Sequence, residues 1–181
     1  MTFIDKTTFE AEVLRLNALN PNDKKHWSIG RWPYHAVVLA ILQAVGAKRI
    51  LEIGTMGIKL SSESDDMDYS VLPVWAVSCP KYKHDARVSP WPIRSKTYDF
   101  CVALRVFHHL TPSQKLSFKE AKRVSRNVII VVPDHYPSTK LGSVGITYED
   151  VLDWNDGIPP TFKIDTSKET TYFWREIDFS N

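Results

Sequence analysis

Apolar and polar positions along the chain follow both helical and strand-like periods. The clearest helix lies over 34–45, where apolar residues recur at i, i+3, i+4, i+7 and i+8 between Pro33 and Gly46. Further helices are predicted over 8–19, 111–124 and 147–154, the second of them with Thr111 as its cap and Pro112 as its first residue. Short apolar runs predict strands over 49–53, 71–77, 98–104 and 128–132. The polar, acidic segment 61–67 predicts no strand.

The C-terminal part of the chain has a different pattern. Segments 162–165 and 171–177 alternate apolar and polar residues around a polar turn, which predicts an antiparallel hairpin. Helices alternating with strands, followed by such a hairpin, predict an α/β fold: a compact, doubly wound open sheet with helices on both faces. We expect a single domain over 1–181, with an N-terminal helix and connector over 1–33 and a core over 34–181.

Composition narrows the class of protein. With 181 residues, 43% hydrophobic and 24% charged, the chain fits one globular domain and excludes disorder and collagen. No stretch approaches the ~18 apolar residues of a membrane span, and the acidic first 20 residues do not resemble a signal peptide. We therefore expect a cytoplasmic protein with Cys79 and Cys101 as reduced thiols. The 23 basic and 21 acidic residues give no strong drive towards nucleic acid.

Candidate chemistry lies where the predicted strands end. In an open α/β sheet, ligands bind beyond the carboxyl ends of the strands, and the segments that follow them hold His84, His108, His109 and His135. No pair of these has a dedicated ligand spacing such as H-E-x-x-H, so no metal site is predicted.

Several short motifs occur along the chain in an order that is informative. Segment 50–54 reads ILEIG, 84–86 reads HDA ahead of PWP, 98–103 reads YDFCVA, 106–110 reads VFHHL and 120–124 reads EAKRV. These resemble, in order, the motifs of class I S-adenosylmethionine-dependent methyltransferases of the type 11 kind. The similarity spans roughly residues 36–178. It implies a Rossmann-like fold, S-adenosylmethionine as cofactor, and methyl transfer to an acceptor that is a small molecule or sugar-like.

The resemblance also implies roles for individual residues. In such a site a glycine turn approaches the cofactor, acidic residues bind its ammonium group, its ribose hydroxyls and its adenine amine, and a base can face the acceptor. The predicted cofactor-binding residues are Glu52, Gly54, Thr55, Gly57, Asp68, Asp85, Ala86 and Leu104. The predicted catalytic residues on the acceptor side are His109 and His135.

Two features depart from the family's pattern. The family's E-x-G-x-G-x-G becomes EIGTMGI at 52–58, so Met56 stands where the second glycine is expected. The stretch 55–84 is also short for the elements that normally fill it, so one or two elements near the cofactor are expected to be reduced or missing.

These departures leave a second hypothesis, a non-catalytic methyltransferase-like interaction domain whose cofactor pocket has degenerated. It expects Met56 and the loop 58–70 to fill the cofactor cleft. A third idea is an activity on RNA, which requires a cluster of basic residues at the mouth of the cleft. The residues to inspect are Lys24, Lys25, Arg31, Arg49, Lys81 and Lys83.

Overall fold

A computed structural model describes residues 1–19, 27–69, 80–134 and 143–176. Within these ranges the chain forms the helices α1 (Lys6–Leu19), α2 (Trp32–Val45), α3 (Gln114–Val124) and α4 (Tyr148–Trp154). Its strands are β1 (Ile50–Ile53), β2 (Asp65–Asp68), β3 (Tyr82–Lys83), β4 (Tyr98–Leu104), β5 (Ser125–Pro133), β6 (Phe162–Asp165) and β7 (Glu169–Trp174). No helix of the described part of the chain is long and apolar enough to cross a membrane.

The seven strands form one sheet in the order β3-β2-β1-β4-β5-β7-β6. The first five are parallel, and β7 pairs antiparallel with both β5 and β6. This confirms the predicted α/β class with its antiparallel C-terminal hairpin. Because β1 neighbours both β2 and β4, the strand order reverses at β1, and ligands of such sheets bind at that point.

The sheet is covered on both faces because successive side chains of a strand point to opposite sides. On one face, Leu51, Cys101 and Ile130 join a cluster with residues of α3 and α4. On the other, Ile50, Val102 and Ile129 pack with α2. The continuous apolar runs of β4 and β5 are therefore the signature of strands that are buried on both faces.

The sequence prediction was wrong about segment 61–67, since β2 lies at Asp65–Asp68. Three of its four residues carry a carboxylate, a composition that is depleted in strands. Long-range partners bond to two of those groups. The Asp65 carboxylate accepts hydrogen bonds from Lys81 and the Tyr98 hydroxyl, both at 2.7 Å, and the Asp66 carboxylate accepts one from the Lys81 backbone at 3.1 Å. The predicted strand over 71–77, and Cys79, lie outside the described residues.

The expected reduction of elements in the stretch 55–84 is confirmed for residues 55–64, whereas residues 70–79 lie outside the described residues. Residues 54–64, which connect the parallel strands β1 and β2, hold turns and one isolated bridge and no helix. Residues 84–97, between β3 and β4, are likewise without a helix. Such crossovers usually contain one.

The sequence prediction was also wrong about where α1 and α3 begin. The α1 helix begins at Lys6, because the Asp5 carboxylate accepts the Thr8 backbone N–H at 2.7 Å and so caps the helix earlier. The α3 helix begins at Gln114 instead of behind a Thr111 cap, and the Gln114 side chain donates to the Thr111 hydroxyl at 2.7 Å. Thr147 does cap α4, in a complete capping box with Asp150.

Candidate cofactor site

The carboxyl ends of four parallel strands meet at one edge of the sheet. The Gly54 backbone N–H, after β1, donates to the Met67 carbonyl of β2 at 3.0 Å. The His84 N–H, after β3, donates to the Asp68 carbonyl at 3.2 Å. Val106, after β4, packs directly against Gly54. The motif residues that sequence analysis singled out are therefore neighbours in space.

The turn after β1 requires glycine for two separate reasons. Gly54 has a φ of 66°, in the left-handed region, and a Cβ added to it would lie 2.8 Å from Cγ2 of Val106. Gly57 is also left-handed, with a φ of 85°, and its N–H donates to the Thr55 hydroxyl at 3.3 Å. At its two glycines the turn therefore brings backbone without a side chain to the edge where β1 and β4 end.

Met56 adopts a left-handed φ of 51° in spite of its side chain. Its side chain packs against the cluster of Phe9, Leu16 and Ile58 that joins α1 to the turn. Its carbonyl accepts a hydrogen bond from the Trp27 indole at 3.0 Å. The residue at the expected second glycine is therefore anchored to the N-terminal helix.

Glu52 is 3% exposed, and its carboxylate is used inside the protein. The Leu60 backbone N–H donates to its two oxygens at 2.9 and 3.0 Å, and the Ser64 hydroxyl donates to Oε1. Burial raises the pKa of Glu52 to about 7, against the opposing effect of these hydrogen bonds. The predicted contact of Glu52 with the cofactor stays a prediction; the observed contacts hold the loop 58–64.

Asp68 is the last residue of β2 and is 8% exposed. Its Oδ2 atom is buried and has no hydrogen-bond partner among the described residues. Burial raises the pKa of this carboxyl. A buried polar atom without a partner carries a substantial free-energy cost, so it marks a place where a ligand donor fits.

Asp85 and Ala86 follow β3 at the same edge. The Asp85 carboxylate pairs with the Arg87 guanidinium at 2.7 Å, and hydrogen bonding from Arg87 holds the pKa of that carboxyl below its usual range. The buried Ala86 carbonyl accepts bonds from the Trp91 indole at 3.1 Å and the Ser117 hydroxyl at 2.9 Å. The turn is therefore fixed to α3, with an ionised carboxylate at its surface.

The short helix Phe107–His109 follows β4 and positions two histidines. His109 is exposed, whereas His108 is buried, with ring centroids 3.8 Å apart. Burial, followed by the charges of His109, Arg105 and Arg31, lowers the pKa of His108 to about 3, so its imidazole is neutral. Leu104 ends β4 and packs on the α2 face of the sheet. His135 lies outside the described residues.

Comparison with known proteins rests on structure. No protein-family model matches the sequence, and the search of curated proteins gives no match. A methyltransferase of Clostridium acetobutylicum matches with a TM-score of 0.63 and 8% identity, over 92% of this chain and 98% of that chain. A possible histamine N-methyltransferase of Thermotoga maritima matches at 0.59 and 12%, over 91% and 100%. The N-methyltransferase NodS of Bradyrhizobium japonicum matches at 0.58 and 11%, over 82% and 98%.

The chain has the fold of class I methyltransferases. At these identities the likeness concerns the fold alone. Within that fold, the edge formed by Gly54, Asp68, Asp85 and Val106 is the carboxyl edge at the strand reversal.

Two other expectations concern the surroundings of this edge. Among the described residues, no group of three or more His, Cys, Asp or Glu side chains is arranged to hold a metal ion. The described basic residues proposed for RNA lie at both ends of the sheet. Arg49 precedes β1 and Lys81 precedes β3 at the amino end, whereas Lys83 ends β3 and Arg31 lies near the carboxyl edge. Lys24 and Lys25 lie outside the described residues. The described basic residues are thus divided between the two ends of the sheet, and this distribution does not support an RNA-directed activity.

A group of charged residues lies beside this edge, and sequence analysis named only Arg31 among them. The Arg105 guanidinium, after β4, pairs with the Glu169 carboxylate of β7 at 2.5 Å. Arg31, which ends the short helix Ile29–Arg31, lies near this pair and near the Tyr34 hydroxyl. Only the position of Arg105, next to the VFHHL motif, could have pointed to this group.

Proposed function

We propose that the chain is an S-adenosylmethionine-dependent methyltransferase that acts on a small-molecule acceptor. The observation that carries this proposal is the buried Asp68 carboxylate, whose Oδ2 lacks a hydrogen-bond partner among the described residues beside the Gly54 turn. A ribose hydroxyl is a donor of the kind this oxygen accepts. The methyltransferase fold adds support, because it puts this pair of features where ligands of such sheets bind.

The residues of the edge would share the work of binding. Asp68 would accept hydrogen bonds from the ribose hydroxyls, and the backbone of the turn at Gly54 and Gly57 would lie against the cofactor's amino-acid part. Asp85 would receive the adenine amine, while Glu52 would keep the turn in place through the loop 58–64. When bound, S-adenosylmethionine supplies an electrophilic methyl group on its sulfonium.

On the acceptor side, exposed His109 is the base we propose. Its backbone N–H donates to the Val106 carbonyl at 2.8 Å, so it is fixed next to the residue that touches Gly54. A base here would accept the proton that a hydroxyl or amine acceptor loses on methylation. His135 and Leu104 remain proposals from the resemblance alone.

The alternative of a non-catalytic domain expected Met56 and the loop 58–70 to fill the cleft. Met56 instead contributes its side chain to the cluster around Phe9 and Leu16. Residues of the loop bond to the Glu52 carboxylate through the Leu60 N–H and the Ser64 hydroxyl, and residue 70 lies outside the described residues.

Calorimetric titration with S-adenosylmethionine and its demethylated product tests the proposal. We expect saturable binding at micromolar strength, about −8 kcal/mol. Asp68→Asn should weaken binding by about tenfold or more, because it removes a charged acceptor. The matched control is Asp153→Asn on exposed α4. Because a neutral amide lowers the cost of burial at position 68, the variant should remain folded.

Two results would contradict the proposal. One is the lack of saturable heat with either compound in a protein shown to be folded by circular dichroism. The other is equal affinity of the Asp68→Asn and Asp153→Asn variants, which would show that binding occurs elsewhere.

A further inference from the structure

A compact group of four polar side chains, here called the arginine cluster, lies beside the proposed cofactor edge. Its members are Arg31, Tyr34, Arg105 and Glu169. Each comes from a different place in the fold: Arg31 from the short helix before α2, Tyr34 from the first turn of α2, Arg105 from the end of β4 and Glu169 from the start of β7. Such convergence depends on the sheet order, in which β5 alone separates β4 from β7.

The cluster contains one more positive charge than negative charge. Glu169, 7% exposed at its side chain, pairs with Arg105 at 2.5 Å. Arg31 has no carboxylate within 4.0 Å among the described residues, although the Glu169 carboxylate and the Tyr34 hydroxyl lie near enough to act on its charge. Tyr34 does not supply a counter-charge, because burial raises its pKa to about 12.

This excess charge is partly withdrawn from water. Arg31 is half-buried, and Tyr34 beneath it is 1% exposed. Burial lowers the pKa of Arg31, although a guanidinium remains protonated at neutral pH. Buried charges are normally paired, so a guanidinium in this setting is poised to take an anionic partner.

The location ties the cluster to the acceptor side of the edge. Arg105 and Val106 are consecutive, yet Val106 packs on Gly54 while the Arg105 side chain reaches in the opposite direction along the edge, to β7. The cluster therefore lies on the β5–β7 side of the turn, away from Asp68 and Asp85. The charges of Arg105 and Arg31 also act on His108, which shows that the short helix Phe107–His109 adjoins it.

We propose that Arg31 binds an anionic group, a carboxylate or a phosphate, of the acceptor molecule. This inference rests on the proposed methyltransferase function and specifies its substrate class. The planar guanidinium suits both anions, since it can donate two parallel hydrogen bonds. In this arrangement Glu169 pairs with Arg105, and Arg31 lies beside the buried Tyr34.

The test uses the whole chain and two simple anions, inorganic phosphate and acetate. Thermal unfolding is followed as each anion is titrated, against sodium chloride at equal ionic strength, in the wild type and in Arg31→Gln, Arg31→Lys and Arg126→Gln. Arg126 is the matched control because it is an exposed arginine near the amino end of β5, paired with Glu176 at 3.3 Å. Binding of the demethylated cofactor is measured in parallel.

We expect a saturable rise in Tm with phosphate or acetate beyond that with chloride. The apparent Kd should weaken by about tenfold to a hundredfold in Arg31→Gln and less in Arg31→Lys, and should stay unchanged in Arg126→Gln. The anion that gives the larger wild-type shift identifies phosphate or carboxylate as the group.

Three outcomes separate the possible failures. An equal shift in Arg31→Gln would overturn the inference, because the anion would then bind elsewhere. The lack of a shift in a wild type that binds the demethylated cofactor would overturn the inference and leave the proposed function standing. An Arg31-dependent shift without cofactor binding would support the anion site and contradict the proposed function. If Arg31→Gln fails to fold, the wild-type titration and Arg31→Lys still decide the matter.

Discussion

Replacing Glu52 by glutamine should change how the stability of the protein depends on pH. Glu52 is 3% exposed, and burial raises its pKa from an ordinary 4.5 to about 7. The folded state therefore holds a proton that the unfolded state has already released over this interval. The linkage relation then requires the free energy of unfolding to fall as pH rises from about 4.5 to 7, and to level off above.

The magnitude follows from the same two values. At 1.36 kcal/mol per pKa unit, the interval from 4.5 to about 7 corresponds to roughly 3 kcal/mol. The Glu52→Gln variant lacks this titration but keeps an oxygen that can accept the Leu60 N–H. Relative to the wild type, the variant should gain about 2 to 3 kcal/mol of stability between pH 5 and pH 8.

Urea unfolding followed by circular dichroism at several pH values measures this difference. Subtracting the wild-type curve from the variant curve removes the contributions of other carboxylates, such as Asp85, whose lowered pKa acts in the opposite sense at lower pH. Exposed Glu149, in the first turn of α4, provides the control Glu149→Gln. Parallel pH dependences for the wild type and Glu52→Gln would refute the reasoning, because Glu52 would then ionise freely in the folded state.

Three further predictions concern stability and reactivity. Gly46 has a φ of 71° and open space around it, so Gly46→Ala should lower the free energy of unfolding in urea by about 1 kcal/mol. Gly54→Ala should lower it by ~1–3 kcal/mol more, because the added methyl group would contact Val106. Equal losses would contradict that contact. Thr147→Ala should destabilise the protein by about 1 kcal/mol through the lost cap of α4, and an unchanged urea midpoint would argue against that cap. Cys101 is buried, and burial raises the pKa of its thiol. Its alkylation, followed by mass spectrometry of the peptide, should therefore be at least about a thousandfold slower in native than in urea-unfolded protein. Comparable rates would show that β4 is accessible.

Sequence patterns predicted most of the strands because burial of a strand or helix face determines the local spacing of its apolar residues. The strands β4 and β5 are buried on both faces, which forces continuous apolar runs, and α2 shows its period because one of its faces is buried. Strand β2 has no such apolar pattern. The carboxylates of Asp65 and Asp66 accept hydrogen bonds from Lys81 and Tyr98, which are distant in sequence, so a local window shows only a polar segment.

The residues of the candidate site likewise differ in whether a local sequence pattern reveals them. The turn at Gly54 and the segment with Asp85 lie in short motifs, so sequence analysis found them and the fold brought them to one edge. The arginine cluster has no motif. Arg105 and Glu169 are 64 residues apart and meet because β5 pairs in parallel with β4 and antiparallel with β7. A pair of this kind can be recognised only once the strand order is known.

The short connection between β1 and β2 explains why Glu52 is buried. A crossover helix would normally cover this part of the sheet and keep the turn in place. Here the N-terminal segment takes part of that role, because the Ile4 N–H donates to the Leu60 carbonyl at 2.8 Å and Phe3 bridges to Ser61. Leu60 in turn donates its N–H to Glu52, so the loop is held from the N-terminal segment on one side and from β1 on the other. The raised pKa of Glu52 then follows from fixing the turn after β1 without a helix behind it, since the carboxyl is buried at the point where the two supports meet.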